Sequence, residues 1–134
     1  MKASTALLFS ALFVSCALAN ANEPTDEQLN DWVNYLRSVG IPSTVRICGK
    51  AIDDEARFKT AADAWSIANQ ASVDRGRAVA SAQPPKGWAS LDAYNESMVR
   101  DYEAKLTSMP AIDQLETCVK YVELLEKRAA DGDA

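Results

Sequence analysis

The sequence predicts an all-α protein, a compact antiparallel bundle of four to five helices with one disulfide between Cys48 and Cys118. Apolar residues recur at intervals of three and four, which is the spacing of one face of an α-helix. No stretch of any length alternates apolar and polar residues as a half-buried strand does. The main glycine and proline clusters lie between the helical segments, and short connections favour antiparallel neighbours.

The first 19 residues are typical of a cleaved signal peptide. Lys2 precedes an apolar stretch over 6–14, and Ala17-Leu18-Ala19 has the small-x-small pattern that signal peptidase recognises. This stretch is far shorter than the ~20 residues that span a bilayer, so we expect no transmembrane segment. An alternative interpretation is a lipoprotein box over 13–16, in which Cys16 would carry the lipid.

Cleavage after Ala19 leaves residues 20–134, which is 115 of the 134 residues and the size of a single domain. The chain has a net charge of −5, which becomes −6 when Lys2 is removed. Nucleic acids and anionic membrane surfaces are bound by clustered lysine and arginine. This charge balance therefore argues against both as partners.

The first helix is predicted from a capping box formed by Thr25 and Gln28, and we expect it to end at Gly40-Ile41-Pro42. Its apolar stripe is Leu29, Trp32, Val33 and Leu36. A second helical region extends from Ser43 to Ala82, and unbroken it would be about 60 Å long. Because that is too long for a compact domain of this size, we expect a break near Gly49 or at Asp53-Asp54, where an aspartate can cap a new helix.

A loop follows at Gln83-Pro84-Pro85-Lys86-Gly87, because two prolines and a glycine end a helix. The third helix is predicted to start at Ser90 as its N-cap. Pro110 interrupts it, and the last helix is expected to open at Ser108 or at Asp113.

The cysteine count indicates an oxidising compartment. Once Cys16 is cleaved or lipidated, Cys48 and Cys118 remain, and an even pair in an exported protein is typical of a disulfide. The bond would link the early and late halves of the domain across a loop of about 70 residues, which makes the two helices that carry it neighbours.

The sequence has no histidine, which removes the commonest general base and the commonest metal ligand. It also has no glycine-rich phosphate loop and no Ser-x-x-Lys pair. With both domain cysteines in a disulfide, no thiol nucleophile is left. We therefore predict no catalytic residues, no metal site and no cofactor, and expect that the protein is not an enzyme.

The acidic residues are explained mainly as partners of basic residues four positions later on solvated helix faces. This explanation covers the Asp53-Asp54-Glu55 cluster, for which a cation site is the alternative. The six expected pairs are Asp53–Arg57, Glu55–Lys59, Glu96–Arg100, Asp101–Lys105, Glu116–Lys120 and Glu123–Lys127.

The aromatic residues on the apolar stripes are expected in the core; they are Trp32, Trp65, Tyr94 and Tyr102. Trp88 differs because it follows the Pro-Pro loop. It either packs over the end of the bundle or is an exposed anchor for a partner, a role that tryptophan often has in interfaces. Lys86 and Trp88 are therefore the candidate partner-binding residues.

Export, small size, an acidic surface and a disulfide-linked bundle without catalytic groups together predict a protein that binds and neutralises a protein partner, such as a toxin or hydrolase, in the bacterial periplasm. In these overall features the chain resembles the small helical periplasmic immunity proteins that protect bacteria against cell-wall-degrading toxins. The resemblance is one of size, export and architecture, and no binding residue is implied by it.

Two other functions fit the sequence. One is a carrier of a small molecule or lipid, with a cavity lined by Trp32, Trp65, Tyr94, Met98 and Tyr102. The other is an assembly or structural factor of the envelope, anchored through Cys16 if that residue is lipidated. A homodimer formed through leftover apolar surface is a further expectation.

Overall fold

The computed structural model describes residues 23–131, in which five helices and no strand occur. The helices are α1 (Asp26–Ala51), α2 (Glu55–Ala68), α3 (Gln70–Ala82), α4 (Leu91–Ser108) and α5 (Ala111–Asp131). The predicted all-α fold is therefore confirmed. The predicted signal peptide, with Cys16, lies outside the described residues.

Helix α1 begins as predicted but is longer than predicted. The Thr25 hydroxyl accepts a hydrogen bond from the Gln28 N–H, and the Gln28 side chain accepts one from the Thr25 N–H. The expected end at Gly40-Ile41-Pro42 is wrong, because the helix continues through Pro42 to Ala51. Pro42 lies on the exposed side, whereas Ile41 is buried, so packing of this face outweighs the cost of about 3 kcal/mol for a proline inside a helix.

The predicted break at Asp53-Asp54 is confirmed. Asp53 has a φ of 53°, and the Asp54 side chain caps α2 by accepting a hydrogen bond from the Arg57 N–H at 2.9 Å. A second interruption occurs at Asn69, which is buried and donates a hydrogen bond from its side-chain amide to the Trp65 carbonyl at 2.9 Å. The long helical region is thereby divided into the end of α1 and two shorter helices.

The last two helices start at or near the predicted residues. Ser90 caps α4 by accepting a hydrogen bond from the Ala93 N–H at 3.1 Å, as predicted. Helix α5 starts at Ala111, directly after Pro110, and therefore at neither Ser108 nor Asp113. The fixed φ and missing N–H of proline suit this position, where the Gln114 N–H reaches the Pro110 carbonyl at 2.9 Å.

Helix α1 is the centre of the fold, since it packs against each of the other four helices. Contacts of Gly49 with Glu55 and of Arg37 with Trp65 show that α1 and α2 are antiparallel. The pairs Trp32–Tyr94 and Thr44–Tyr102 show that α4 lies alongside α1 in the same direction. The N-termini of α1 and α4 therefore lie at one end of the bundle, together with the C-terminus of α3.

The core is formed mainly by α1, α2 and α5. Its largest fully buried side chains are Phe58, Trp65, Leu106, Val122 and Leu125. Cys48 of α1 and Cys118 of α5 form the predicted disulfide within this core, with 5.1 Å between their Cα atoms. Leu106 is the one residue of α4 that is fully buried, so this helix packs on the bundle mainly through half-buried side chains.

The closest approach of two helices occurs at Gly76 of α3. A Cβ atom on Gly76 would lie 2.1 Å from the Asp31 carbonyl oxygen and 2.8 Å from the Tyr35 Cβ. Both neighbours belong to α1, so the absence of a side chain at Gly76 allows the two helices to cross. The sequence marks this position by a glycine inside a helical segment.

Most of the expected ion pairs within helices do not form among residues 23–131. Of the six, Glu116–Lys120 is present, with 2.6 Å between nitrogen and oxygen. Arg57 instead reaches Glu126 of α5 with two hydrogen bonds of 2.8 Å, and Lys59 pairs with Asp63. Asp54 caps a helix and Asp53 lies in the turn, so these acids have roles that helical spacing alone does not predict.

Replacement of Cys48 by serine should lower the melting temperature by about 10–20 °C. The loss follows from releasing a loop of 70 residues in the unfolded chain, which the chain-entropy model values at about 4 kcal/mol. Thermal unfolding followed by circular dichroism measures it, and reduction of the wild type should reproduce the change. Two free thiols in a non-reducing mass map would contradict the prediction.

Replacement of Gly76 by alanine should destabilise the protein by about 2–3 kcal/mol, because the added methyl group meets backbone atoms that cannot move aside. Gly40→Ala is the matched control, since nothing lies within 4 Å of the new Cβ and alanine favours the helix by up to about 1 kcal/mol. Urea unfolding of both variants tests the contrast. Equal stabilities would show that the crossing is not tight.

Candidate functional site

A large concave surface lies at the end of the bundle where α1 and α4 begin. This end groove has a volume of about 820 Å³. Its apolar lining is formed by Pro24, Leu29, Trp32, Val79, Pro85 and Tyr94. Leu29 is 46% exposed and Val79 41%, although both lie on helices whose opposite faces are packed. Large apolar side chains left exposed together are typical of interaction surfaces.

Trp88 extends this apolar surface around the start of α4. Its ring meets that of Tyr94 edge to face, with 5.6 Å between centroids, and Tyr94 in turn stacks on Trp32 at 6.5 Å. Trp88 nevertheless remains 42% exposed. Both alternatives considered for Trp88 from the sequence therefore apply in part, because the side chain packs on the bundle end and nearly half of its surface remains exposed.

The loop that carries Lys86 and Trp88 is held in a defined turn. Gly87 has a φ of +86°, a conformation that favours glycine, and the Trp88 N–H approaches the Pro85 carbonyl at 3.4 Å. Lys86 is exposed and forms no ion pair with any residue from 23 to 131. Both candidate partner-binding residues are thus on the surface, beside the end groove.

Several acidic residues lie at the end of the bundle that carries the end groove. Glu23 lines it directly, Asp26 and Glu27 occupy the first turn of α1, and Asp92 occupies the first turn of α4. These carboxylates gather at one end because α1 and α4 have the same direction. The apolar side chains of the groove and these nearby carboxylates would suit a partner that presents apolar side chains flanked by basic residues.

A buried polar network fixes α3 against α1 below the groove. The Arg75 guanidinium donates to both carboxylate oxygens of Asp31, at 2.8 and 2.9 Å, and the Ser72 hydroxyl donates to one of them at 2.6 Å. The Asn34 side chain donates to Ser72 at 3.0 Å. Arg75 holds the pKa of Asp31 below its ordinary value of 3.8 despite the burial of the carboxylate. The network is a structural support for the face that carries Leu29 and Trp32.

The aromatic residues divide between core and surface. Trp65 is fully buried, as expected, whereas Trp32, Tyr94 and Tyr102 are half-buried. The four aromatic residues and Met98, expected around one cavity, are divided: Trp65 is in the core, Trp32 lines the end groove, and Tyr94, Met98 and Tyr102 line a cleft next to Trp88. Met98 and Tyr102 also line a separate cleft between α1, α4 and α5.

Sequence reasoning missed Leu29 and Val79 as surface residues. Both fit apolar helical stripes, and a stripe does not reveal where the covering helices stop. Across residues 23–131, no helix is long and apolar enough to cross a membrane, and no group of three or more acidic or cysteine side chains is placed to hold a metal ion.

The described residues define a disulfide-linked bundle of five helices with an apolar groove and an aromatic loop at one end. Comparison with known protein families, with curated proteins and with solved structures finds no match to this chain.

Replacement of Arg75 by glutamine should destabilise the protein by about 2–3 kcal/mol at pH 7, because the buried Asp31 carboxylate loses its charged partner. The pKa of Asp31 is lower in the folded state than its ordinary value of 3.8. The stabilisation is therefore fully present above pH 3.8 and is lost as the pH falls through the lower pKa of the folded state. The difference between variant and wild type should therefore shrink below about pH 4.

Urea unfolding at pH 7 and at several values below pH 4 measures this difference. Arg77→Gln is the matched control, since Arg77 is exposed two residues further along α3. A difference between Arg75→Gln and the wild type that stays constant across this pH range would show that Asp31 is not held as a paired carboxylate.

Proposed function

We propose that this protein is an exported, non-catalytic binding protein that holds and neutralises a protein partner in the periplasm. The observation that carries the proposal is the exposure of Leu29, Val79 and Trp88 around one groove. The other exposed large apolar residues, Val33, Ile67, Ile112 and Leu115, lie outside this groove. A continuous apolar surface in water is costly to leave uncovered, which favours a partner that covers it.

The shape of the end groove favours a protein segment as the occupant. The groove is open and broad, with apolar walls from α1, α3 and α4 and a polar rim, as in interfaces that have an apolar centre and a wet edge. Trp88 is the largest side chain at its border and is preorganised by its contact with Tyr94. An aromatic side chain already held in place loses little entropy when a partner binds.

The scaffold around the groove supports binding rather than turnover. The Cys48–Cys118 disulfide and the Gly76 crossing both limit relative movement of the helices. Asp31, the most deeply buried carboxylate, is engaged by Arg75 and Ser72. The groove faces of α1 and α3, which these contacts hold together, can block a toxin or hydrolase by occupying a site that its substrate needs.

Trp88→Ala should weaken partner binding by at least about tenfold, the effect of losing an interface anchor worth ~1.4 kcal/mol or more. The protein should remain folded with a lower melting temperature, because the variant loses the contact of Trp88 with Tyr94 but no fully buried core side chain. A photo-crosslinking residue at position 88 in envelope extract identifies the partner by mass spectrometry, and calorimetry with that purified partner gives the affinity.

Ile67→Ala is the matched control, since Ile67 is 80% exposed on α2 and lies outside the end groove. Its affinity should equal that of the wild type. Sedimentation velocity of the protein alone distinguishes a foreign partner from a second copy of the chain. Equal affinity of Trp88→Ala and wild type would remove Trp88 as an anchor, and a crosslink at 67 as strong as at 88 would remove the groove as the site.

A further inference from the structure

A second concave site lies between α1, α4 and α5 and is separate from the end groove. This side cleft has a volume of about 280 Å³. Its apolar walls are formed by Val33, Leu36, Met98 and Val99, and its polar groups come from Arg37, Thr44, Tyr102 and Tyr121. The volume is near the lower end of the range for small-molecule sites, and the mixture of apolar walls with a few polar groups is typical of them.

Arg37 is the charged group of the side cleft, and it is half-buried. Its guanidinium donates to the Asn34 side-chain oxygen at 2.8 Å and lies over the Trp65 ring, 5.7 Å from the centroid. No carboxylate in the described part of the chain lies within ion-pair distance of it, although the protein is acidic overall. Burial, and secondarily the charge of Arg128, lowers the pKa of Arg37. The cleft thus holds a partly desolvated cation that lacks an anionic partner.

The polar groups next to Arg37 are neutral hydrogen-bonding groups. The Thr44 hydroxyl donates to the Gly40 carbonyl at 2.9 Å, so the Tyr102 hydroxyl, 2.9 Å away, donates to Thr44. Burial raises the pKa of Tyr121 to about 12, so its phenol is neutral at physiological pH, and it is hydrogen-bonded to Thr44. No aspartate or glutamate lines the cleft. An anion entering here would meet the Arg37 guanidinium without a competing carboxylate.

Gly40 leaves the mouth of the cleft open. It lies inside α1, where alanine would favour the helix, and no atom lies within 4 Å of the position that its Cβ would take. Packing therefore does not require a glycine at this position, and the space that it leaves is part of the cleft.

We propose that the side cleft binds a small amphiphilic organic anion, with a carboxylate or phosphate head against Arg37 and an apolar body between α1 and α4. The planar guanidinium offers paired donors that match either head. The apolar body would contact Val33, Leu36 and Met98. The charge of Arg37, partly desolvated in the free protein, would gain a partner on binding.

Calorimetric titration of the purified protein with four compounds of equal chain length tests the proposal: octanoate, octyl phosphate, octanol and octyltrimethylammonium. We expect octanoate or octyl phosphate to bind at least about tenfold more tightly than octanol, as one charge-assisted hydrogen bond implies. The tighter of the two anions identifies the head group. The cation should not bind. Equal binding of octanol and both anions, or no binding of either anion, would overturn the proposal.

Two variants locate the site. Arg37→Met keeps the length of the side chain and should remove the preference for the anions over octanol, while Arg100→Met, an exposed arginine of α4 outside the cleft, should not. Gly40→Leu fills the cleft and should abolish binding of all four compounds. A melting temperature at least equal to that of Gly40→Ala would show that this variant is folded. Anion binding that survives in Gly40→Leu or is unaffected in Arg37→Met would place the ligand elsewhere and refute the proposal.

Discussion

The fold depends on the continuity of α1 through Pro42. The 26 residues of this helix contact all four other helices, and the buried residues on both sides of Pro42 face different partners. Asp31 and Tyr35 meet α3, whereas Thr44 and Cys48 meet α4 and α5. A helix ending at Gly40 would separate these two sets of contacts. Burial of Ile41 thus helps to keep α1 one continuous helix, around which the other helices pack.

Local signals predicted the element boundaries where a side chain satisfies the backbone directly. Thr25, Asp54 and Ser90 each accept a hydrogen bond from a backbone N–H three residues later, and helix caps of this kind can be recognised from the sequence. The disulfide between Cys48 and Cys118 could also be predicted from the sequence. The end of the first helix was not, because the gain that offsets Pro42 comes from helices distant in sequence. Propensity describes a helix in isolation, and tertiary packing decides the outcome here.

The candidate sites were predictable to different degrees. Trp88 was selected as a candidate from its place after a Pro-Pro loop, and it both packs on Tyr94 and remains 42% exposed. The side cleft was not found, because Arg37, Thr44 and Tyr121 come from two helices and meet through the helix directions that the disulfide and the α1–α4 contacts establish. Neither the cleft nor the groove contains a sequence motif. Both arise where neighbouring helices diverge or stop.

The packing of α4 through half-buried side chains affects how the molecule fluctuates. This helix buries one residue fully, and the Pro-Pro loop and Pro110 flank it. Its local opening therefore exposes less apolar area than global unfolding does, which makes α4 a low-stability unit in the sense of native-state hydrogen exchange. Since it forms a wall of both the end groove and the side cleft, any molecule held in either place also damps this opening. A ligand bound in one of these sites would thereby change the affinity of the other site through the motion of α4, without any contact between the two ligands.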